Sequence, residues 1–478
     1  MSIRKALIFS LLDRNASLVI GIASSMALAR LLTPTDIGVF SVTMVLLSFV
    51  TTFRDFGAGQ YLVQTQSLTP DRIRAVWTLQ LGIGVFIALL SFGASFPVSD
   101  FYHEPRMRDI MWVLGLSYLV NPFGSLTYAW LMRSLKFETL AFMRFTSTLA
   151  GALVSIFLAW KGLGPISLAW GNLATICTNA FIATFYRPRD FPLLPGIKEI
   201  KVVASFGARL TSTSIIETLT QGAPELILAK LQNLTDVGMF SRANGLMALF
   251  SRLVSDAVAS VAVPMFAQAS REGTGLAASF LKANMYMTAL AWAFAGSVAV
   301  LAQPLIAVLY GPQWHSAVAV TQWLACAAAV VAPASLCYQV LVGAGALTRL
   351  LRIMAVASFL TVLGAAIGAW FSLITMTWCL IAAGALSSLA WLWMTRLELG
   401  FAWSALLRGQ LHSLLVALGA IVPVALVQWA SSSQGWPNLV TLLASALVGG
   451  IGLLAFVLGF RHPMADEIRP LLARLRRA

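Results

Sequence analysis

The chain has 478 residues, of which 59% are hydrophobic and 10% charged, with a mean hydropathy of +0.83. A soluble domain carries about a quarter charged residues, so this composition excludes a water-clad surface and makes the lipid bilayer the solvent. The net charge of +14 excludes little by itself, and its placement along the chain argues for membrane topology rather than nucleic acid.

Apolar runs of roughly 17–25 residues between polar breaks predict fourteen membrane-spanning helices. In chain order they lie at about Ala16–Leu32, Ile37–Phe53, Ala75–Phe96, Ile110–Met132, Leu140–Trp160, Leu163–Tyr186 and Leu210–Leu231. They continue at Val237–Pro264, Phe280–Ala302, Ser316–Val342, Ile353–Trp370, Leu373–Thr395, Leu411–Ala430 and Leu439–Phe460. The basic, apolar start "MSIRKALIFSLL" is read as part of the first span and not as a cleaved signal, because Asp13, Arg14 and Asn15 interrupt it too early. With the N-terminus placed in the cytoplasm and the loops alternating, 24 of the 32 Lys and Arg residues fall inside. That is the positive-inside pattern, with both termini cytoplasmic. The tail "EIRPLLARLRRA" reads as a basic amphipathic helix resting on membrane lipids.

One corner is written twice. "LARLLTPTDIGVFS" from Leu28 returns as "LAKLQNLTDVGMFS" from Leu228, identical at eight of fourteen positions and displaced by 200 residues. Six spans separate the copies, so the repeats are parallel in the membrane. "PFGSLTY" from Pro122 and "PASLCY" from Pro333 form a second echo, each in the fourth span of its half. The expected organisation is a lobe over 1–200, a second over 201–400, an appended helix pair over 401–460 and a basic tail over 461–478. Within the corner, Thr33 is placed to cap the next helix, with Pro34 at its first position and Asp36 three residues after the cap. Asn233 and Asp236 occupy the same places in the second copy, and Gly38 and Gly238 allow close helix approach.

Charge inside a bilayer is costly and marks cavities or partners. The seventh span, "ARLTSTSIIETLTQGAPELILAKL", is too polar for lipid on all sides and is expected to line a wet interior or a helix break. Glu217 and Glu225 lie about two turns apart on it, and with Asp55 and Asp256 they are the candidates for ion coupling. Arg242, Arg252, Arg54, Arg30 and Lys230 are the candidate cations for an anionic substrate. Arg242 is placed in mid-span and replaces Val42 of the first copy. Arg252 and Asp256 have the spacing of a simple helical pair, and Arg54–Asp55 could snorkel at a cytoplasmic end.

Enzyme signatures are missing. The chain has no P-loop, GxSxG or HExxH, its four histidines are scattered, and its four cysteines fall inside predicted spans without ligand spacing. The charges of "DFYHEPRMRD", Asp100–Asp109, read as a solvated loop. No catalytic group, metal site or cofactor is expected.

The segments "ARLLTPTDIGVFSV" (Ala29–Val42), "FRDFGAGQYLVQ" (Phe53–Gln64), "LMRSLKFETLAFMRF" (Leu131–Phe145) and "LTDVGMFSRANGL" (Leu234–Leu246), with Pro264, resemble the Wzx-type polysaccharide flippases of the MATE-like superfamily. The resemblance implies an all-α polytopic membrane protein, with two parallel six-helix lobes around a central cavity plus two C-terminal helices. It implies carriage of an undecaprenyl-pyrophosphate-linked oligosaccharide across a bacterial inner membrane, with a polysaccharide polymerase and a chain-length regulator as further partners. A multidrug exporter or a peptidoglycan-precursor flippase of the same fold are the nearest alternatives. A polytopic glycosyltransferase or polymerase would need a large outer loop, and none is visible.

Overall fold

The computed structural model describes residues 3–54, 58–65, 68–188, 191, 194–272, 275–460, 462–467 and 469. Every regular element among them is helical. The first part of the chain gives α1 (Ile3–Leu31), α2 (Pro34–Arg54), the short α3 (Ala58–Gln64), α4 (Pro70–Tyr102) and α5 (Arg106–Arg133). It continues with α6 (Phe137–Trp160), α7 (Ile166–Tyr186) and α8 (Ile200–Leu231). Next, α9 (Leu234–Phe250) passes through a π-helical turn, Ser251–Ser255, into α10 (Asp256–Glu272). Then come α11 (Leu276–Leu309), α12 (Ala317–Val331), a 3₁₀ turn at Ala332–Ala334 and α13 (Cys337–Gly343). The chain ends with α14 (Leu347–Ala369), α15 (Leu373–Leu399), α16 (Trp403–Gln434) and α17 (Asn438–Gly459).

Eleven helices among the described residues are long and apolar enough to cross a membrane, α12 and α13 counting as one span. The other three segments of the fourteen-span expectation are also helical, in α1, α8 and α9–α10, but are not among the eleven. α4 and α11, at 33 and 34 residues, exceed the roughly 20 that a bilayer needs. Large apolar side chains such as Phe86, Phe185 and Trp429 are exposed along the helices, as a lipid-facing surface requires.

The chain forms two compact units, Met1–Gly238 and Met239–Ala478. In the first, α4 packs on α5, α5 and α6 on α7, α1 on α6, and α2 on α8. In the second, α11 packs on α12 and α16, α16 on α17, and α15 on both α12 and α14. The last helix pair is thus built into the second unit: Ser413 donates to the Met285 carbonyl at 3.0 Å, joining α16 to α11. After α17 the chain turns back, where the Tyr286 hydroxyl donates to the Pro463 carbonyl at 2.8 Å. His462 is buried there, its Nδ1 accepting the Met464 N–H at 3.3 Å, and burial holds its pKa down at about 4.

The two fourth-span prolines have different outcomes. Proline has no N–H and frees the carbonyl four residues back. Pro122 sits inside the unbroken α5, and the freed Tyr118 carbonyl is approached by Gly84 of α4, where a Cβ would lie 2.7 Å from that oxygen. Pro333 sits in the 3₁₀ turn between α12 and α13, and the freed Ala329 carbonyl accepts the Trp292 indole N–H at 2.7 Å.

Candidate functional site

The duplicated corner folds as its sequence predicts. The Thr33 N–H donates to Asp36 at 3.0 Å, and the Asp36 N–H returns a bond to the Thr33 hydroxyl at 3.2 Å. In the second copy the Asp236 N–H donates to Asn233 Oδ1 at 2.8 Å, and Asn233 Nδ2 donates to Asp236 at 2.9 Å. Both are reciprocal caps, with a carboxylate at the positive helix end.

The sequence does not reveal that the two copies pack on each other. A Cβ on Gly38 would lie 1.7 Å from the Leu234 carbonyl oxygen, and one on Gly238 1.9 Å from that of Pro34. No residue but glycine fits either place. Beside them the hydroxyls of Thr35 and Thr235 share a hydrogen bond of 2.8 Å. Each residue of this seam meets its own duplicate or that duplicate's neighbour.

The tip between α4 and α5 is strapped to the seam. Arg106 donates to Asp36 at 2.7 Å and to Glu104 at 2.8 Å, and its guanidinium holds the Glu104 carboxyl below its ordinary range. Lys230, in the second copy, donates to the Phe101 carbonyl at 2.9 Å and lies 3.9 Å from the centre of that ring. Of the charges of "DFYHEPRMRD", Glu104 and Arg106 are thus paired as well as solvent-exposed, which the sequence reading of a solvated loop did not foresee. No spacing could have paired Arg106 with a carboxylate 70 residues away.

α8 is continuous through Pro224, so the break expected as one option there is absent from the described helix. Its polar residues split between two faces. Towards α2, Glu225 accepts a hydrogen bond from the Ser41 hydroxyl, Gly222 lets Val45 and Phe49 close in, and Thr218 shares a 2.9 Å bond with Thr52. On the other face Glu217 is exposed and accepts from Gln221 at 3.1 Å. Glu225 is 7% exposed. The two carboxylates therefore occupy unlike surroundings, one enclosed at a helix seam and one open.

Arg242 is the ninth of the 17 residues of α9, midway along that helix. Its guanidinium faces the rings of Tyr310 and Trp314, with centroids at 5.4 and 5.6 Å. Both rings are buried in the second unit, so this cation has a built aromatic backing. Arg30 is exposed. The side chains of Arg54, Arg252 and Asp256, and all of Asp55, lie outside the described residues. At the other end of the first unit, Arg133 donates to the carbonyls of Leu62, Val63 and Thr65 (2.9, 3.3 and 2.5 Å), closing the end of α3. Among the described residues no group of His, Cys, Asp and Glu could hold a metal ion.

The helical architecture has close relatives among solved structures. The lipid II flippase MurJ, in an inward closed conformation, superposes with a TM-score of 0.76 at 13% identity, over 96% of this chain and 99% of that one. An inward-facing multidrug resistance MATE family transporter of the MOP superfamily gives 0.63 at 12% identity, over 84% and 99%. The fold is that of these proteins, and the eleven long apolar helices make the chain a multi-pass membrane protein. Residues 27–319 match the polysaccharide biosynthesis protein family, and the chain belongs to it. It is 23% identical over 344 residues to the succinoglycan biosynthesis transport protein ExoT of Rhizobium meliloti (strain 1021), 70% of this chain and 68% of that protein. It is 22% identical over 311 residues to the lipopolysaccharide biosynthesis protein WzxC of Escherichia coli (strain K12), 64% of this chain and 62% of that protein. The chain thus spans about two thirds of the length of these relatives.

Proposed function

We propose that this protein carries an undecaprenyl-pyrophosphate-linked oligosaccharide across a bacterial inner membrane by alternating access, with both termini in the cytoplasm. The observation that carries the reading is the self-packed corner, in a chain whose family and named relatives serve polysaccharide biosynthesis. Two capped helix starts meet through paired glycines, each lying against the backbone of the other helix. Such a seam closes tightly, and parting it would give up the Thr35–Thr235 hydroxyl pair together with the Lys230–Phe101, Ser41–Glu225 and Thr52–Thr218 bonds beside it. Repeats in the same membrane orientation suit the rocking of one half against the other around a substrate, with halves of about 1–200 and 201–400, an appended pair over 401–460 and a basic tail over 461–478.

Arg242 is the leading candidate for the pyrophosphate, because a planar guanidinium stays charged and binds such oxygens in pairs. Arg252, Arg54, Arg30 and Lys230 are secondary candidates, and Lys230 is already engaged at Phe101. Glu217, being open, is the better placed carboxylate for coupling to an ion gradient, ahead of Glu225, Asp256 and Asp55. A polymerase and a chain-length regulator would take the product on the far side.

The test is a reversible cross-link. Thr35→Cys with Thr235→Cys, oxidised in membranes, should stop export of surface polysaccharide, and reduction should restore it. Export unaffected by a complete cross-link would sink the alternating-access reading. Arg242→Ala and Glu217→Gln should each impair export at normal membrane levels, and unchanged export would remove that residue from the site.

A further inference from the structure

The segment between α7 and α8 is fastened to the start of α4. The Gly196 N–H donates to the Thr78 hydroxyl at 2.7 Å, and that hydroxyl shares its proton between the carbonyls of Arg74 and Gly196 at 2.8 and 2.9 Å. Gly196 allows this approach, since a Cβ there would lie 2.9 Å from that of Arg74. Phe191 of the same segment is buried, its ring 6.1 Å from that of Trp130, in an apolar cluster with Leu62, Trp77, Leu126 and Val203. The starts of α4 and α8 and the end of α5 thus meet the segment over one cluster.

Cations crowd this place. Arg72 pairs with Glu199 at 2.7 Å and reaches the Thr65 hydroxyl at 3.2 Å, and Arg133 donates to the carbonyl of that same threonine. Lys198 lies 3.7 Å from Asp71, and the Arg187 guanidinium lies 5.9 Å from the centre of the Trp77 ring. Arg74 sits three residues before Trp77, hence on the face of α4 whose ring backs Arg187. Arg72, Arg74, Arg133, Arg187 and Lys198 therefore stand around Asp71 and Glu199, and Lys198 and Arg72 already engage those two carboxylates. Arg74 is left over. Its Nε is buried without a hydrogen-bond partner among the described residues, although the residue as a whole is partly exposed and can be reached from outside. A charged donor so placed gains most from an anionic oxygen.

The rim of the place says which anion. Leu194, Ile197 and Val202 are exposed, Ile197 at 77%, and the exposed Lys198 and Lys201 stand between them in the chain. Apolar side chains this open, at the ends of membrane helices, suit acyl chains, and lysines and arginines among them suit phosphate headgroups. A free anion would make no use of the apolar rim. We propose that this segment holds the headgroup phosphate of an anionic phospholipid, with Arg74, Arg187 and Lys198 on the phosphate and Leu194 and Ile197 against the acyl chains. A lipid bound there ties the connection from α7 into α8 to the membrane surface. The site is separate from Arg242 and from the carboxylates of α8, and it does not depend on what the protein transports.

The experiment is thermal unfolding of the purified full-length chain in a neutral detergent, followed by tryptophan fluorescence. Dioctanoyl phosphatidylglycerol is titrated, with dioctanoyl phosphatidylcholine and inorganic phosphate as separate arms at constant ionic strength. Phosphatidylglycerol should raise Tm saturably, and Arg74→Gln should weaken the midpoint of that rise about tenfold. Arg187→Gln should do the same, serving as a second variant if the first folds poorly. Lys161→Gln, which removes a cation at the far end of α6, should leave the midpoint where it is. A wild-type Tm that responds equally to phosphatidylcholine, or to inorganic phosphate alone, overturns the proposal. An unchanged midpoint in both arginine variants, or an equal loss in Lys161→Gln, does so too. Failure here leaves the cross-linking test of the transport reading untouched, because that test reads export alone.

Discussion

Pro122 and Pro333 pose the same problem in the two units, and the chain solves it in two ways. Each proline frees a carbonyl in surroundings where water cannot attend to it. In the first unit Gly84 brings a neighbouring helix onto the Tyr118 oxygen, and α5 stays whole. In the second, Trp292 donates an N–H to the Ala329 oxygen, and the helix changes to a 3₁₀ turn and restarts. The echoing serines follow suit: Ser125 donates to Gln80 at 2.9 Å, whereas the Ser335 hydroxyl lacks a partner among the described residues. A proline in a membrane helix thus does not dictate a break. What its neighbours offer the freed carbonyl accompanies the outcome.

The sharpest way to break this comparison is Gly84→Val. The new side chain would collide with backbone at Tyr118, and overpacking of this kind costs about 3 kcal/mol. A wild-type Tm for that variant would show that the close approach is dispensable. Next in size, Trp292→Phe leaves the Ala329 carbonyl without its donor and should cost about 2 kcal/mol. In a Pro333→Ala background the restored N–H can serve that carbonyl, so the cost should shrink, and a double-mutant cycle of Tm values measures the difference. Equal costs in both backgrounds would disprove the role given to the indole.

Ser125→Ala should cost about 1 kcal/mol, and Ser335→Ala close to nothing, because only the first gives up a hydrogen bond. The smallest effect is acid loosening, and it differs between the units. His462 has a folded pKa of about 4, below its ordinary 6.5. Its contribution is complete above 6.5 and is lost as pH falls towards 4. Glu104, held low by Arg106, contributes fully above its ordinary 4.5 and gives way only below it. Hydrogen exchange at pH 7 and pH 5 should therefore show loosening around Tyr286 and Pro463 at pH 5, with the α4–α5 tip still protected. Simultaneous loosening of both would contradict the assignment.

Much of the architecture is legible in the letters. Apolar run length marks the helices, and both caps of the corner can be read because Thr33–Asp36 and Asn233–Asp236 are local, three residues apart. The polar seventh span also stands out, but its division into a face against α2 and an open face does not. Ser41 and Glu225 are separated by 184 residues, and nothing in either segment names the other. The buried polar groups of the second unit are harder still. Asn284, Thr288, Ser388 and Gln410 are single letters in apolar stretches, and nothing local says that their polar atoms are buried without a hydrogen-bond partner among the described residues. The different outcome at Pro122 and Pro333 is equally hidden, because Gly84 and Trp292 each lie far from the proline they serve.

The corner seam has one more implication. A residue that touches its own counterpart, Thr35 against Thr235, with Gly38 beside Gly238, is the signature of an isologous interface. In a homodimer, one substitution would change both sides of such a contact together. Joined in one chain, the two sides are inherited separately, and they have already begun to diverge at Thr33 and Asn233, Pro34 and Leu234, and Val42 and Arg242. A single joined chain can therefore carry an arginine at one copy of a position, Arg242, while the other copy keeps Val42.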